Sequence, residues 1–352
     1  MRVRVVAPSE LTPRDVAAWQ ECAANAVEPN PFLEPGWLLP ALEHLDESPR
    51  AALVVAEHGG CVHACVPLFE AARRPATSGS PSRSVLNTRV AHTAVPVGTP
   101  FVSADRGSEA LELVLAEVAR VASARGAELV VLEWLVADGR AAALLGEVTA
   151  EMGLHLLPFE SWERGFLRRI PGEEEYWARS IGSNRRRTIR QHRRRLEEDL
   201  GSEVTTRVAT DAESLDTFVR LEMSGWKGHD PGGLALGRDP GAAAFFRTAG
   251  RAYLDRGRLG FLCLDGPDGP IAMICLVRAG EGLFAYRTAY DERYARHGPG
   301  VLAFLAAMEH FDRETDAAWL DTCAAPGNEH LLGLFPDRRP LATFVARVRG
   351  GS

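Results

Sequence analysis

A short turn in the second half of the chain has residue types suited to binding a diphosphate. The turn, His297-Gly298-Pro299-Gly300, separates an apolar and aromatic run at 283–290 from a helical segment at 301–313. The start of a helix carries unpaired N–H groups and partial positive charge, and glycine lets a phosphate approach the backbone. No Walker-type lysine or GxGxxG pattern accompanies the turn. The local sequence alone therefore favours the simpler interpretation, a tight turn that starts a helix.

A basic segment is the second candidate for contact with an anion. Residues 185–198 hold seven arginines around a thin apolar seam of Ile189 and Leu196, and Ser183 or Asn184 can cap the predicted helix. Three interpretations are open: a solvated helix face, contact with an anionic cofactor or substrate, and nucleic-acid binding. Charge runs usually lie on solvated faces, so the first is favoured.

The cysteines and the single lysine also bear on possible chemistry. Lys227 is the only lysine, and a lysine can lose its proton in a pocket whereas an arginine cannot. All six cysteines lie in apolar contexts and are predicted to be buried thiols. Cys61, His63 and Cys65 would share one strand face, but the outer two would lie roughly 13 Å apart. One zinc holds its ligands within about 2.3 Å, so we predict no metal site there.

The chain is long enough for two domains. It has 352 residues and a formal net charge of −7, so the molecule as a whole does not attract polyanions. It has no apolar run of membrane-spanning length, and its N-terminus does not resemble a signal peptide. These features predict a cytoplasmic protein.

The predicted elements form a diverged internal repeat with a period near 200 residues. In each half the pattern predicts strands, then a helix, a strand and further helical structure. The first half also has a Ser-, Arg- and Pro-rich segment at 71–84, which is predicted to be a loop. The main predicted strands are 129–135, 166–170, 259–264, 271–277, 283–290, 318–323 and 341–348, and the main predicted helices are 108–125, 139–153, 185–198, 211–227, 242–256 and 301–313.

The second half resembles a GNAT acyltransferase domain of the CelD/BcsL-like branch, which also looks like the Fem-type peptidyl transferases. The matching features, in order, are Ser183-x-x-Arg186-x-x-Ile189-Arg190 with Leu196, the segment 221–227 ending in Trp226-Lys227, the paired strands around 266–270, Tyr290-Asp291, Pro299-Gly300, and Asp321. Pro31-Phe32 and Trp37 make the first half similar to a degenerate GNAT-like domain. The resemblance implies an α/β (α+β) protein of tandem GNAT-like domains, 1–160 and 161–352, each a mixed, mostly antiparallel sheet flanked by helices.

The same resemblance implies that an acyl group moves from a thioester, usually acetyl-CoA or another acyl-CoA, to the amine of a small molecule, without a metal. The implied cofactor-binding residues are His297, Gly298, Pro299, Gly300 and Val301. The common Arg/Gln-x-x-Gly-x-Gly/Ala loop is absent, so an acyl carrier protein or an aminoacyl-tRNA remains open as the donor. Nucleic acid is disfavoured because the protein is acidic and the arginine segment lacks aromatic residues.

Direct attack by the amine needs a base and stabilisation of an oxyanion by a backbone N–H. The candidate bases are Asp321, which is preferred, Glu222 and His297. Tyr290, Tyr286 or Tyr294 would protonate the leaving thiolate, and the candidate substrate-binding residues are Trp226, Lys227, Arg287 and Cys323. Two rival hypotheses are an aminoacyl-tRNA-dependent transferase, and a module that binds an acyl ligand or a protein without turnover.

Overall fold

The computed structural model describes residues 1–45, 51–70, 85–89, 94–173, 175–230 and 232–347. The chain forms two compact units, 1–162 with 340–352, and 163–339. The sequence predicts one division, at 160/161, whereas the structure also assigns the C-terminal strand to the first unit. The predicted loop at 71–84 lies outside the described residues.

The first unit is a mixed sheet with helices. Its strands are β1 (Arg2–Val6), β2 (Ala52–His58), β3 (Cys61–Glu70), β4 (Val85–Asn87), β5 (Phe101–Val102), β6 (Leu129–Val136) and the start of β7 (Leu156–Arg168), and its helices are α1 (Pro13–Ala23), α2 (Pro35–His44), α3 (Gly107–Ala124) and α4 (Arg140–Glu151). The strand order is β1-β2-β3-β4-β6-β13, where β13 is Asp337–Arg347, and β5 pairs with β3. Every pair is antiparallel except β4–β6.

Two cysteines of this unit correct the prediction of six buried thiols. Cys22, in α1, and Cys61, at the start of β3, form a disulfide with a Cα–Cα distance of 6.1 Å. The sequence does not indicate this pairing, because the two residues are 39 positions apart and come together only when α1 packs on β3. The other four cysteines are buried thiols. Among the described residues, no group of three or more metal-ligating side chains comes together.

The second unit has a sheet with the same pairing pattern. Its strands are the end of β7, β8 (Thr205–Ala209), β9 (Leu259–Gly266), β10 (Gly269–Ala279), β11 (Gly282–Tyr290) and β12 (Trp319–Asp321), and its helices are α5 (Tyr176–Ser180), α6 (Ser183–Leu200), α7 (Glu213–Ser224), α8 (Trp226–His229), α9 (Pro240–Leu254), α10 (Pro299–Glu314) and α11 (Glu329–Leu332). The strand order is β8-β9-β10-β11-β12-β7, again antiparallel except for one pair, β11–β12.

Helices cover both faces of this second sheet, which is why β9 and β10 are buried along most of their length. On one face, Phe218 of α7 and Phe246 of α9 contact the ring of Phe261 in β9. On the other face, α10 buries its apolar side against β9, β10 and β11, with Met308 and Phe311 in the core.

The helix predicted at 211–227 is broken in the structure. It ends at Ser224, Gly225 is extended (φ −91°, ψ −177°), and α8 begins at Trp226. A Cβ on Gly228 would lie 2.1 Å from the carbonyl oxygen of Met223, so only glycine permits this return of the chain. The break turns Trp226 and Lys227 away from the line of α7.

The predicted fold class is confirmed: the protein is mixed α/β, and each unit has a mostly antiparallel sheet flanked by helices. The matching strand order in the two units supports the predicted internal repeat. No helix in the described ranges has the length and apolar character needed to cross a membrane.

Candidate active site

Two neighbouring strands of the second unit are paired along only part of their length, and we call the region beyond the last pair the wedge. β11 and β12 pair only from Gly282–Trp319 to Phe284–Asp321. β12 ends there, whereas β11 continues for six residues to Tyr290. Beyond Phe284, the backbone of β11 therefore has no β12 residue beside it.

A β-bulge lies in the part of β11 that faces this wedge. Cys275 of β10 pairs with Arg287 and Leu276 pairs with Ala285, so Tyr286 is the extra residue. The bulge places two successive side chains on the same face of the sheet. Tyr286 stacks near Phe246 of α9 (ring centroids 6.3 Å apart), and Arg287 reaches Glu222 of α7. Tyr286 therefore falls outside the one-to-one register of β10 and β11.

The predicted diphosphate turn is the start of α10. Gly298 has a left-handed backbone (φ +61°) at the N-cap position, and no side chain caps the helix there. Its carbonyl oxygen accepts from Val301 N–H (3.0 Å) and Leu302 N–H (3.2 Å), while Pro299 has no N–H. In the described part of the chain, the Gly300 N–H is thus the first-turn donor without a backbone acceptor.

The turn is held against α6. His297 is buried, and its Nε2 lies 2.6 Å from Asp199 Oδ2, which Arg296 also contacts. His192 of α6 approaches from the same side, since a Cβ on Gly298 would lie 3.5 Å from its Nδ1. These contacts fix where the helix begins. They also occupy His297, one of the three candidate bases.

Tyr290 and Trp226 lie beside this turn. The ring of Tyr290 lies 3.5 Å from a Cβ placed on Gly300. Burial, together with the charge of Glu292, raises the pKa of the Tyr290 hydroxyl, although a hydrogen bond with Trp226 opposes the shift. The backbone N–H of Trp226 donates to Glu292 Oε2 (3.3 Å), and half of the residue's surface is exposed. Tyr290 thus keeps its proton at neutral pH.

Glu222, Lys227 and Arg287 form one charged cluster. Glu222 Oε1 accepts from Arg287 Nε (3.0 Å) and Nη2 (2.7 Å), and Glu222 Oε2 accepts from the backbone N–H of Leu236 (2.8 Å). Lys227 Nζ donates to the Thr288 carbonyl (2.7 Å) and lies 3.5 Å from Glu222 Oε1. Burial lowers the pKa of Lys227, an effect that Glu222 opposes and Arg287 strengthens.

Asp321 lies where β11 and β12 are still paired. Its Oδ2 accepts from Arg164 Nη2 (2.7 Å) and Arg339 Nη1 (2.8 Å). Its Oδ1 accepts from the Cys323 N–H (2.8 Å) and lies 2.6 Å from Arg164 Nε. Burial opposes ionisation, but the two guanidinium groups hold the pKa of Asp321 below its usual value. The carboxylate thus accepts three described hydrogen bonds and has one further close contact with a guanidinium nitrogen.

Cys323 follows Asp321 in a left-handed conformation (φ +51°). Burial, and then the charge of Asp321, raise the pKa of its thiol well above the usual value. The thiol therefore stays protonated at neutral pH, and a protonated thiol is a weak nucleophile.

The predicted site residues thus fall into three groups. Glu222, Lys227 and Arg287 are in contact, Trp226 and Tyr290 lie beside the 297–301 turn, and Asp321 and Cys323 form a separate buried pair. Sequence reasoning missed the partners Arg164, Arg339, His192 and Asp199. A charged residue inside an apolar strand, such as Arg164 before 165–167, was the available signal for one of them.

Comparisons with known proteins bear on the family and the fold. A family model described as an acetyltransferase (GNAT) domain matches residues 183–346. No curated protein matches the sequence.

Among solved structures, FemX is similar with a TM-score of 0.59 and 13% identity over 98% of this chain and 97% of that one. A protein of unknown function from Bacteroides thetaiotaomicron has a TM-score of 0.59 and 11% identity, covering 97% and 98%. L-PGS from Bacillus licheniformis has a TM-score of 0.55 and 14% identity, covering 97% and 93%. At such identities the likeness shows the fold alone.

Proposed function

We propose that the protein is an N-acyltransferase, because residues 183–346 match a family model described as an acetyltransferase (GNAT) domain. It moves an acyl group, acetyl in the simplest case, from acyl-CoA to the amine of a small molecule by direct attack. The observation that carries this proposal is the start of α10, which no side chain caps, together with the bulge of β11 beyond the end of its pairing with β12.

In this proposal the donor spans the turn and the wedge. The diphosphate binds at 297–301, where the Gly300 N–H donates to it and the α10 dipole favours its charge. The thioester lies in the wedge, and the backbone N–H of the bulged residue Tyr286 is the proposed donor to the tetrahedral oxyanion. Tyr290, which retains its proton, donates it to the leaving thiolate.

Glu222 is proposed as the base, with a water carrying the proton away from the amine. Its Oε2 accepts one described hydrogen bond, whereas the Asp321 carboxylate accepts three and is enclosed by two guanidinium groups. Asp321 is thus proposed as a positioning residue that holds the paired end of the wedge. Trp226, Lys227, Arg287 and Cys323 remain proposed contacts of the substrates, and a cytoplasmic location is part of the proposal. The Cys22–Cys61 disulfide argues against that location.

Calorimetric titration with acetyl-CoA and longer acyl-CoAs tests the donor. Replacing Gly300 by leucine should weaken binding at least tenfold, because the side chain would occupy the approach to the turn. A Cβ there meets Tyr290 only at ordinary contact distance, so the variant should fold. Gly146→Leu, in an open position of α4, is the matched control and should bind like the wild type. Wild-type protein that binds no acyl-CoA would exclude this function.

A second candidate donor is an acyl group carried by a larger anionic molecule, an acyl carrier protein or a tRNA. The observation in its favour is α6, where Arg186, Arg187, Arg190, Arg193, Arg194 and Arg195 are exposed. The first turn of α6 holds no acid, although acids are what the helix dipole stabilises at that position. Arginines near the start of α6 therefore do not stabilise the helix, and contact with a polyanion is a reason for their presence there.

A further inference from the structure

The cluster of Glu222, Lys227 and Arg287 has an excess of positive charge. Two cations share one carboxylate, and no other charged group acts on Lys227 within the described structure. The Glu222 side chain is fully buried, and the Arg287 side chain is 10% exposed. The Lys227 side chain is 26% exposed, so it is the member of the cluster that an incoming molecule can reach.

Lys227 is also fixed in position. Its ammonium donates to the carbonyl oxygen of Thr288 at 2.7 Å, while its distance to Glu222 Oε1 is a longer 3.5 Å. An ammonium has three N–H donors. The Lys227 ammonium can therefore donate to an additional acceptor. Because the side chain is already held in position, binding that acceptor costs little conformational entropy.

The distance from Lys227 to the wedge limits the length of the acceptor. Thr288 lies two residues beyond the bulge at Tyr286, so its carbonyl is roughly 7 Å along β11 from the proposed oxyanion site. Apolar surface flanks Lys227, because Trp226 is 50% exposed and Leu234 is 62% exposed. A molecule bound here can place one end at Lys227 and the other in the wedge.

We propose that Lys227 binds a carboxylate of the acceptor, so that the acceptor is an amino acid or peptide-like molecule with its carboxylate a few bonds from the attacking amine. The inference rests on the proposed function, since it assigns the acceptor of the same site. Arg287 and Glu222 hold Lys227 in a net positive setting, and Trp226 and Leu234 contact the apolar part of the acceptor.

Matched acceptors test this assignment. The ω-amino acids with two to five methylenes are compared with amino alcohols of equal length, which have amines of similar basicity and no charge at the far end. The wild type should prefer the amino acids at least tenfold in kcat/KM, with one favoured length. An equal rate with the amino alcohols would overturn the proposal, and preference for an ω-aminoalkyl phosphate would replace the carboxylate with a phosphate.

Variants of Lys227 separate charge from structure. Lys227→Met should raise KM for the favoured amino acid at least tenfold more than it raises KM for the amino alcohol, whereas Lys227→Arg should recover part of the loss. Arg247→Met removes one charge from an exposed ion pair on α9 and is the control for net charge. Equal losses for both acceptor types in Lys227→Met would identify a purely structural role.

Direct titration of the same acceptors into the wild type and Lys227→Met, with CoA present, keeps the two proposals distinguishable. Carboxylate-dependent binding that Lys227→Met removes would support the site even if no acyl-CoA is turned over. Acyl-CoA turnover with no preference for carboxylates would reject the site and leave the proposed function standing.

Discussion

At the scale of single residues, the two buried carboxylates of the second unit are both bound by arginine, yet they differ in what remains available. Glu222 contacts Arg287 beside the open wedge, and Asp321 contacts Arg164 and Arg339 where the strands are still paired. Both guanidinium groups on Asp321 are nearly inaccessible to solvent. Both therefore contact this carboxylate away from solvent.

Asp321→Asn should destabilise the protein by about 3–5 kcal/mol, because it removes the buried negative charge that two guanidinium groups contact. Denaturant unfolding measures this loss. Asp216→Asn makes the same change in the exposed Asp216–Arg247 pair and should cost at most about 1 kcal/mol. If Asp321→Asn instead kept its stability and lost turnover, Asp321 would be the catalytic base and the assignment to Glu222 would be wrong.

The unfolding free energies of the wild type and Asp321→Asn should also depend differently on pH. The folded pKa of Asp321 is lowered, so its ionisation contributes stability above the unfolded value of about 3.9 and loses it as the pH falls towards the folded pKa. The difference in unfolding free energy between wild type and Asp321→Asn should be constant from neutral pH to about pH 5 and shrink below about pH 4.

The sequence indicated which residues could belong to the site, but it did not indicate which residues contact each other. The segment that ends in Trp226-Lys227 and the turn at 297–300 could be singled out, because each is local in sequence. Asp321 could also be named, but its partner Arg164 is 157 positions away, and only the pairing of β7 with β12 brings them together. The bulge at Tyr286 depends on how β10 and β11 align, which no local pattern encodes.

At the scale of elements, α6 shows how a single helix can carry separate roles on different faces. Ile189 and Leu196 pack on the core, and His192 and Asp199 contact the 297–298 turn. Arg187, Arg190 and Arg194 share another face, because they are spaced i, i+3, i+7. The face that contacts the turn and the basic face can therefore be altered independently.

Replacing Arg187, Arg190 and Arg194 by glutamine should leave kcat/KM for acetyl-CoA within about twofold, since the face that contacts the turn is unchanged. A tenfold loss with an acyl carrier protein or aminoacyl-tRNA, and for tRNA a log–log salt slope shallower by about three, would identify a macromolecular donor. The same substitutions at the exposed Arg247, Arg251 and Arg256 control for total charge. A large loss with acetyl-CoA would show that α6 holds the small donor itself.

Element boundaries were predicted best where the residue pattern is strong. The apolar strands β9 to β11 and the helix α10 lie close to their predicted limits. The break between α7 and α8 was missed because Gly225 continues the helical pattern of its neighbours, and only the close return of Gly228 onto Met223 reveals it.

At the scale of the whole molecule, the repeated topology is completed by strands from unexpected parts of the chain. In the first unit, β13 is the last strand and pairs with β6 from Leu341–Val136 to Arg347–Leu129. In the second unit, the corresponding last strand is the end of β7, which precedes that unit's other elements and pairs with β12. Two consecutive halves of the sequence therefore do not correspond to the two units, because the C-terminal strand belongs to the first unit.

Ending the chain after Arg339 should therefore damage the first unit, although the residues removed follow the second unit in sequence. The described partner of β6 at 132–136 is β13, because β4 pairs only with Leu129–Val131, and Leu341 and Ala342 are buried. Arg339, the partner of Asp321, is retained. Hydrogen exchange should show lost protection at 129–136 and unchanged protection in β9 and β10, while a chain ending after Arg347 should behave like the full chain. Loss of protection in β9 and β10 with β6 intact would mean that the C-terminal strand stabilises the second unit instead.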